Sequence, residues 1–157
     1  MMVMIGIILT FASLSVGDGG AGRRAQQEIK RLRALIEMAS DEAIMQGVQL
    51  GIEFGRDHYR FLIQEGEAWF PYDLSPLYRQ RQLPPPLSLQ LVVEGLPLTF
   101  PGEEAVTAQE VQPQVYLLSS GERTPFELLL MVNEEGRIRL HAPLMGEITA
   151  ETVGALS

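Results

Sequence analysis

The sequence predicts an α+β domain, with one long N-terminal helix packed on a small antiparallel β-sheet or β-sandwich. Two observations carry this. Apolar residues recur with a period of 3.6 from Arg23 to Gln46, and the period falls to 2 after Gly47. Turn-forming residues then recur at roughly the 8 to 12 residue spacing of short-stranded β folds. With 157 residues, 46% of them hydrophobic, the chain is large and apolar enough for one domain with its own core.

The first segment, Met1 to Val16, carries no charge and no proline. As a helix it would span about 24 Å, somewhat short of a bilayer core of about 30 Å. No Lys or Arg precedes it, so it lacks the basic start of a signal peptide. We read residues 1–16 as the remnant of a membrane helix, with Met4, Ile5, Ile7, Ile8, Leu9, Phe11 and Leu14 as its apolar surface. Residues 17–22 hold four glycines, each costing about 1 kcal/mol of helix propensity. This run predicts a hinge.

The helix is expected over residues 23–47. Ile29, Leu32, Ile36, Ala39 and Ala43 form one stripe, and Leu35 widens it. Arg24, Glu28, Arg31, Glu37, Asp41 and Glu42 fall away from that stripe. Gly47 ends the helix. The β region follows over residues 48–157. Val48, Leu50, Ile52 and Phe54 alternate with smaller or polar residues, as do Tyr59, Phe61 and Ile63, with Gly55 to His58 as the turn of a hairpin. Ala68–Tyr72 forms a short run. Asp73–Pro86, with four prolines, reads as an irregular connection. Strands are expected over Leu87–Val93, Leu96–Phe100, Val115–Leu118, Phe126–Val132 and Arg137–His141, with a short one around Ile148. That makes about seven strands by alternation. Pro101–Pro113 is a second long loop, acidic at Glu103, Glu104 and Glu110.

Composition excludes several chemistries. The net charge of −8 opposes binding to phosphate backbones. The absence of cysteine removes disulfides, thiol catalysis and thiolate metal sites. His58 and His141 have no partner at metal-ligand spacing, and the Glu103-Glu104 and Glu134-Glu135 pairs lack the alternating acids of a calcium loop. Ser119-Ser120-Gly121 is not a nucleophile elbow; it reads as a tight turn in which Gly121 supplies a positive φ. Tyr78-Arg79-Gln80-Arg81 has one aromatic, expected to pack the loop down rather than to stack a base. We therefore expect no enzyme, no cofactor and no metal. The one basic zone, Arg23, Arg24, Lys30, Arg31 and Arg33, admits two readings: ion pairs along the helix with Glu28 and Glu37, or contact with anionic head groups or an acidic partner.

An apolar helix running into an amphipathic helix and then a small β domain is the layout of type IV pilins and of type II secretion pseudopilins. Leu35 to Phe54 with Tyr59–Leu62 resembles the helix end and first hairpin of the minor pseudopilin H group. Leu118-Ser119-Ser120-Gly121-Glu122-Arg123-Thr124-Pro125-Phe126-Glu127-Leu128 resembles that group's S-S-G-E-x-T-P-F turn and strand, placing Ser119, Ser120, Gly121, Glu122, Thr124, Pro125 and Phe126 on the motif. The resemblance covers most of residues 1–141. It implies a pilin-like fold, an anchor in the bacterial inner membrane crossing once, and a β domain in the periplasm. It also implies processing and N-methylation by a prepilin peptidase. The implied partners are the major pseudopilin and the other minor pseudopilins, with the H subunit linking the tip complex to the shaft, and no nucleic acid or small-molecule substrate. The family's basic leader and its Phe-Thr-Leu start are not found, so the apolar helix is expected to be truncated and no cleavage site is named. The contact loops are expected at Asp73–Pro86 and Pro101–Pro113. A type IV minor pilin that binds DNA for uptake is the alternative. It needs exposed basic residues near the C-terminus, where only Arg137 and Arg139 follow Pro125.

Overall fold

A computed structural model describes residues 19–100 and 111–154. Helix α1 runs from Gly19 to Gln46. Ten strands follow: β1 Leu50–Phe54, β2 His58–Glu65, β3 Ala68–Pro71, β4 Arg81–Gln82, β5 Ser88–Val93, β6 Leu96–Leu98, β7 Val115–Leu117, β8 Phe126–Met131, β9 Arg137–Ala142 and β10 Thr149–Val153. The apolar segment Met1–Val16, with Met4 to Leu14, lies outside the described residues, as do Gly17, Asp18 and most of the Pro101–Pro113 loop.

The strands form two antiparallel sheets. The first has the order β3-β2-β1-β7, with β4 extending the β3 edge along the start of β2. The second has the order β10-β9-β8-β5-β6. Register follows turn chemistry. Phe54 faces Tyr59 across the Gly55–His58 turn, which Gly55 N–H closes onto the His58 carbonyl at 2.8 Å. Val93 faces Leu96 across Glu94 and Gly95, both at positive φ, the geometry of a two-residue hairpin whose twist matches its strands.

α1 packs against β1 and β7 of the first sheet and β9 of the second. Beneath it lies one core, built from Leu50, Ile52, Phe54, Tyr59 and Phe61 on one sheet and Leu91, Leu128, Leu130, Ile138 and Leu140 on the other. Burying an aliphatic or Phe side chain of this kind contributes about 1.5–3 kcal/mol. Leu62 faces the opposite way and is also fully buried. It lies level with Gly51 and Pro71 in register, on the side where the Trp69 and Tyr116 rings approach to 5.6 Å.

Three expectations need correction. The helix already runs from Gly19, ahead of the expected Arg23, so residues 19–22 of the expected hinge are helical; Gly22 and Ala25 are buried against the domain and packing outweighs glycine's low propensity. The stretch Asp73–Pro86 is not wholly irregular: Pro76–Tyr78 makes a 3₁₀ turn capped by the Ser75 side chain, and β4 pairs with His58 and Tyr59. The described strands number ten rather than about seven: the short runs expected at Ala68–Tyr72 and around Ile148 appear as β3 and β10, and the two-residue β4 has too little alternation to be seen.

Candidate assembly surface

The candidate site is a surface, the outer side of α1 and the turn beside its end. α1 has two faces. Ile29, Leu32, Ile36, Ala39 and Ala43 are buried to between 0 and 4% exposure, and Leu35 joins them. The opposite line, through Arg24, Arg31, Ala34, Met38, Asp41 and Met45, is exposed along its length. Charge is unevenly spread on the helix. Residues 19–33 hold five Lys or Arg against Glu28, whereas residues 34–46 hold Glu37, Asp41 and Glu42 and no base. The first turn has no acid and the last turn no base. Residues 19–22 and 43–46 carry no charge of either sign, and the effect of the macrodipole falls off beyond those turns.

Glu28 is a further correction to the sequence reading, which set it away from the buried stripe. It is 7% exposed. Arg81 of β4 reaches it with Nε at 3.2 Å and Nη at 2.5 Å from the same carboxylate oxygen, and this contact raises the Arg81 pKa. Nearby, the buried hydroxyl of Tyr59 has no hydrogen-bond partner. Burial, then the Glu28 charge, pushes its pKa up to about 12. Arg33 pairs with Glu37 one turn on at 3.5 Å and with Glu147 of the β9–β10 loop at 3.1 Å. Part of the basic zone thus serves ion pairing. Arg23, Arg24, Lys30 and Arg31 make no ion pair among the described residues.

The Ser119–Phe126 stretch crosses from the first sheet to the second. Each residue has a local task. The Gln49 side chain holds Ser119, accepting its N–H at 3.0 Å and donating to its hydroxyl at 3.2 Å. Ser120 Oγ accepts from the Glu122 N–H at 3.3 Å, and the Glu122 carbonyl accepts from Leu118 N–H at 2.8 Å. Gly121 has φ +92°, and a Cβ there would lie 3.4 Å from Cδ1 of Ile44, near the end of α1. Thr124 Oγ1 accepts from Tyr116 N–H at 3.0 Å. Pro125 is exposed, and Phe126 is buried with its ring 5.9 Å from Phe54.

Arg123, the variable position of that motif, was missed as a site residue. Its N–H donates to the Leu144 carbonyl at 3.0 Å, and its guanidinium donates to the Gly146 carbonyl. It is 6% exposed, and desolvation lowers its pKa. The motif turn therefore joins both sheets, the helix end and the β9–β10 loop. An arginine between a turn and a strand gave one cue, but only the return of residues 143–147 in space explains its burial.

Elsewhere the chemistry is ordinary. His58 Nδ1 lies 3.0 Å from Asp57 Oδ1, a contact that lowers the Asp57 pKa. His141 lies 3.5 Å from its cross-strand neighbour Glu127. Among the described residues no group of three or more His, Cys, Asp or Glu is placed to hold a metal ion, and no helix is long and apolar enough to cross a membrane. Tyr78 is buried, with its ring 5.1 Å from Tyr72 and 5.3 Å from Phe61, as the loop-packing reading expects. Arg139 pairs with Glu151 at 2.9 Å, which leaves the C-terminal region little free positive charge and does not favour the DNA-uptake alternative.

A long helix welded along its length to two small antiparallel sheets, with one helix face left bare, defines a pilin-like subunit. The family model described as Type II transport protein GspH matches residues 28–142. The chain is 34% identical over 134 residues to the type II secretion system protein H of Pseudomonas aeruginosa, covering 82% of this chain and 76% of that one. It is 24% identical over 139 residues to the protein of the same name from Aeromonas hydrophila, covering 85% and 76%. The fold is similar to the crystal structure of the minor pseudopilin EpsH of Vibrio cholerae, with a TM-score of 0.67 at 23% identity over 85% of this chain and 96% of that one. It is similar also to the solution structure of Escherichia coli GspH, with a TM-score of 0.66 at 22% identity over 88% and 95%. The chain belongs to the GspH family of type II secretion minor pseudopilins, structural subunits that assemble with other pseudopilins.

Proposed function

We propose that this chain is a subunit of a pseudopilus, joining a tip complex of other minor pseudopilins to a shaft of major pseudopilin. In this role it supports export of folded proteins across the outer membrane. The observation that carries the reading is the bare outer face of α1 on a helix otherwise fixed to its domain.

In this reading Met1–Val16 anchors the chain in the inner membrane, crossing once, with the β domain in the periplasm. Met4, Ile5, Ile7, Ile8, Leu9, Phe11 and Leu14 then pack against neighbouring helices in the filament. Leaving lipid forfeits the helix's contacts with acyl chains unless neighbouring helices replace them. The loops Asp73–Pro86 and Pro101–Pro113 supply further neighbour contacts, and the mature chain carries the family's N-methylation. The test is affinity capture with the tagged full chain in cells carrying a type II secretion apparatus. Retention of major and minor pseudopilins is expected. Their absence from the eluate, while the tagged chain itself is folded and in the inner membrane, would sink the reading.

A further inference from the structure

We propose that β10 is a strap over the edge of the second sheet, which opens and closes as a unit while the rest of the domain stays folded. Its burial sets it apart from the strands beside it. β8 and β9 bury alternate side chains: Phe126, Leu128 and Leu130 on one, Ile138, Leu140 and Ala142 on the other. In β10, Thr149, Ala150, Glu151 and Thr152 are all exposed, and Val153 is half-buried. The inner side chains of β9 lie under α1 instead, which packs on that strand. The core is therefore complete without β10, apart from Ile148, buried just before it. β6 is equally exposed, but a two-residue turn ties it directly to β5. β10 hangs on the longer connection Pro143–Ile148.

The near end of that connection is fixed, since Arg123 holds the Leu144 and Gly146 carbonyls. The strap begins beyond Gly146, whose φ of +97° suits glycine. From there its side-chain fastenings are polar and open to water. Glu147 pairs with Arg33 at 3.1 Å and Glu151 with Arg139 at 2.9 Å, and Gln26 of α1 donates to Thr152 Oγ1 at 3.2 Å. Exposed contacts of this kind hold a segment weakly. At the far end the fit is tight: a Cβ on Gly154 would lie 1.9 Å from the Glu135 carbonyl oxygen, in the β8–β9 turn. The Val132 N–H donates to the Gly136 carbonyl at 3.0 Å, which fixes the alternation along β9. Backbone groups of Ile138 and Leu140 then turn toward β8, and those of Arg137, Arg139 and His141 toward β10. Opening the strap frees the latter set and turns a closed edge into a run of unpaired strand backbone.

The experiment is native-state hydrogen exchange of the full chain in detergent micelles, read amide by amide by NMR. Neighbours on one strand should then behave differently. The amides of Arg137, Arg139 and His141 should exchange together, about a hundredfold or more faster than those of Ile138 and Leu140, because only the former need the strap to open. Their rates should hardly respond to low urea, since little surface is exposed in that opening. Ile52→Val thins a side chain that is buried whether the strap is open or closed. It should speed the Ile138 and Leu140 amides about 2- to 10-fold and leave the other three unchanged. Gly154→Ala, which cannot seat against Glu135, should speed those three by about fivefold or more. One common rate and urea dependence for all five amides would overturn the proposal. So would Ile52→Val acting equally on both sets, or Gly154→Ala leaving the Arg137, Arg139 and His141 amides unmoved.

Discussion

Arg123 holds the β9–β10 loop against the turn that joins the two sheets, through the Leu144 and Gly146 carbonyls. Its Nε is buried without a partner, so the side chain carries a desolvation cost along with its hydrogen bonds. Arg123→Ala should lose about 1–3 kcal/mol in denaturant unfolding, because the guanidinium's bond to the Gly146 carbonyl is lost and a cavity opens where the buried side chain stood. Arg123→Met should lose less, since it fills the space and removes a desolvated charge. Tyr59 sets a limit at high pH. Its folded-state pKa of about 12 lies above the ordinary tyrosine value, and burial also raises those of Tyr72 and Tyr78. The sign follows directly: stability from the neutral phenols is complete below about pH 10 and is lost as pH climbs through about 12. In a Tyr116→Phe background, which removes the exposed phenol, phenolate absorbance and circular dichroism should change together in that window, and Tyr59→Phe should move the transition upward. Phenolate appearing near pH 10 in that variant while it is still folded would contradict the burial.

At the scale of elements, α1 depends on its stripe. Leu32→Glu or Ile36→Glu places a charge at a position with 2% or 0% exposure and should cost about 4 kcal/mol or more, read as loss of the cooperative thermal transition. Wild-type melting would refute the packing of helix on sheets. Two glycines give opposite expectations. Gly20 is helical with open space around it, so Gly20→Ala should stabilise by about 0.4–1 kcal/mol. Gly121 is left-handed, so Gly121→Ala should destabilise by about 1–2 kcal/mol. Much of this was legible from sequence. The stripe from Ile29 to Ala43, the Phe54–Tyr59 hairpin and the positive φ at Gly121 each follow from local pattern or turn chemistry. The helix start was not, because burial of Gly22 depends on a domain folded from distant residues. Nor was the inward turn of Glu28, since its partner Arg81 is 53 residues away in a two-residue strand that has no period to read. Arg123 was hidden for the same reason.

At the scale of the whole molecule, two antiparallel sheets in a chain of net charge −8 carry one long helix. The inner face of that helix binds the domain, and its outer face runs from basic to acidic. A structural subunit of this family works through the surfaces it offers to other pseudopilins. Export should therefore be more sensitive to changes on the outer helix line than domain stability is. The most direct test is complementation. The full chain is expressed in a type II secretion strain deleted for its own protein H, and secreted cargo is assayed in the medium. The account predicts that the wild-type chain restores export. Failure of the wild-type chain to restore export while it is folded and membrane-localised beside the other pseudopilins would contradict the account.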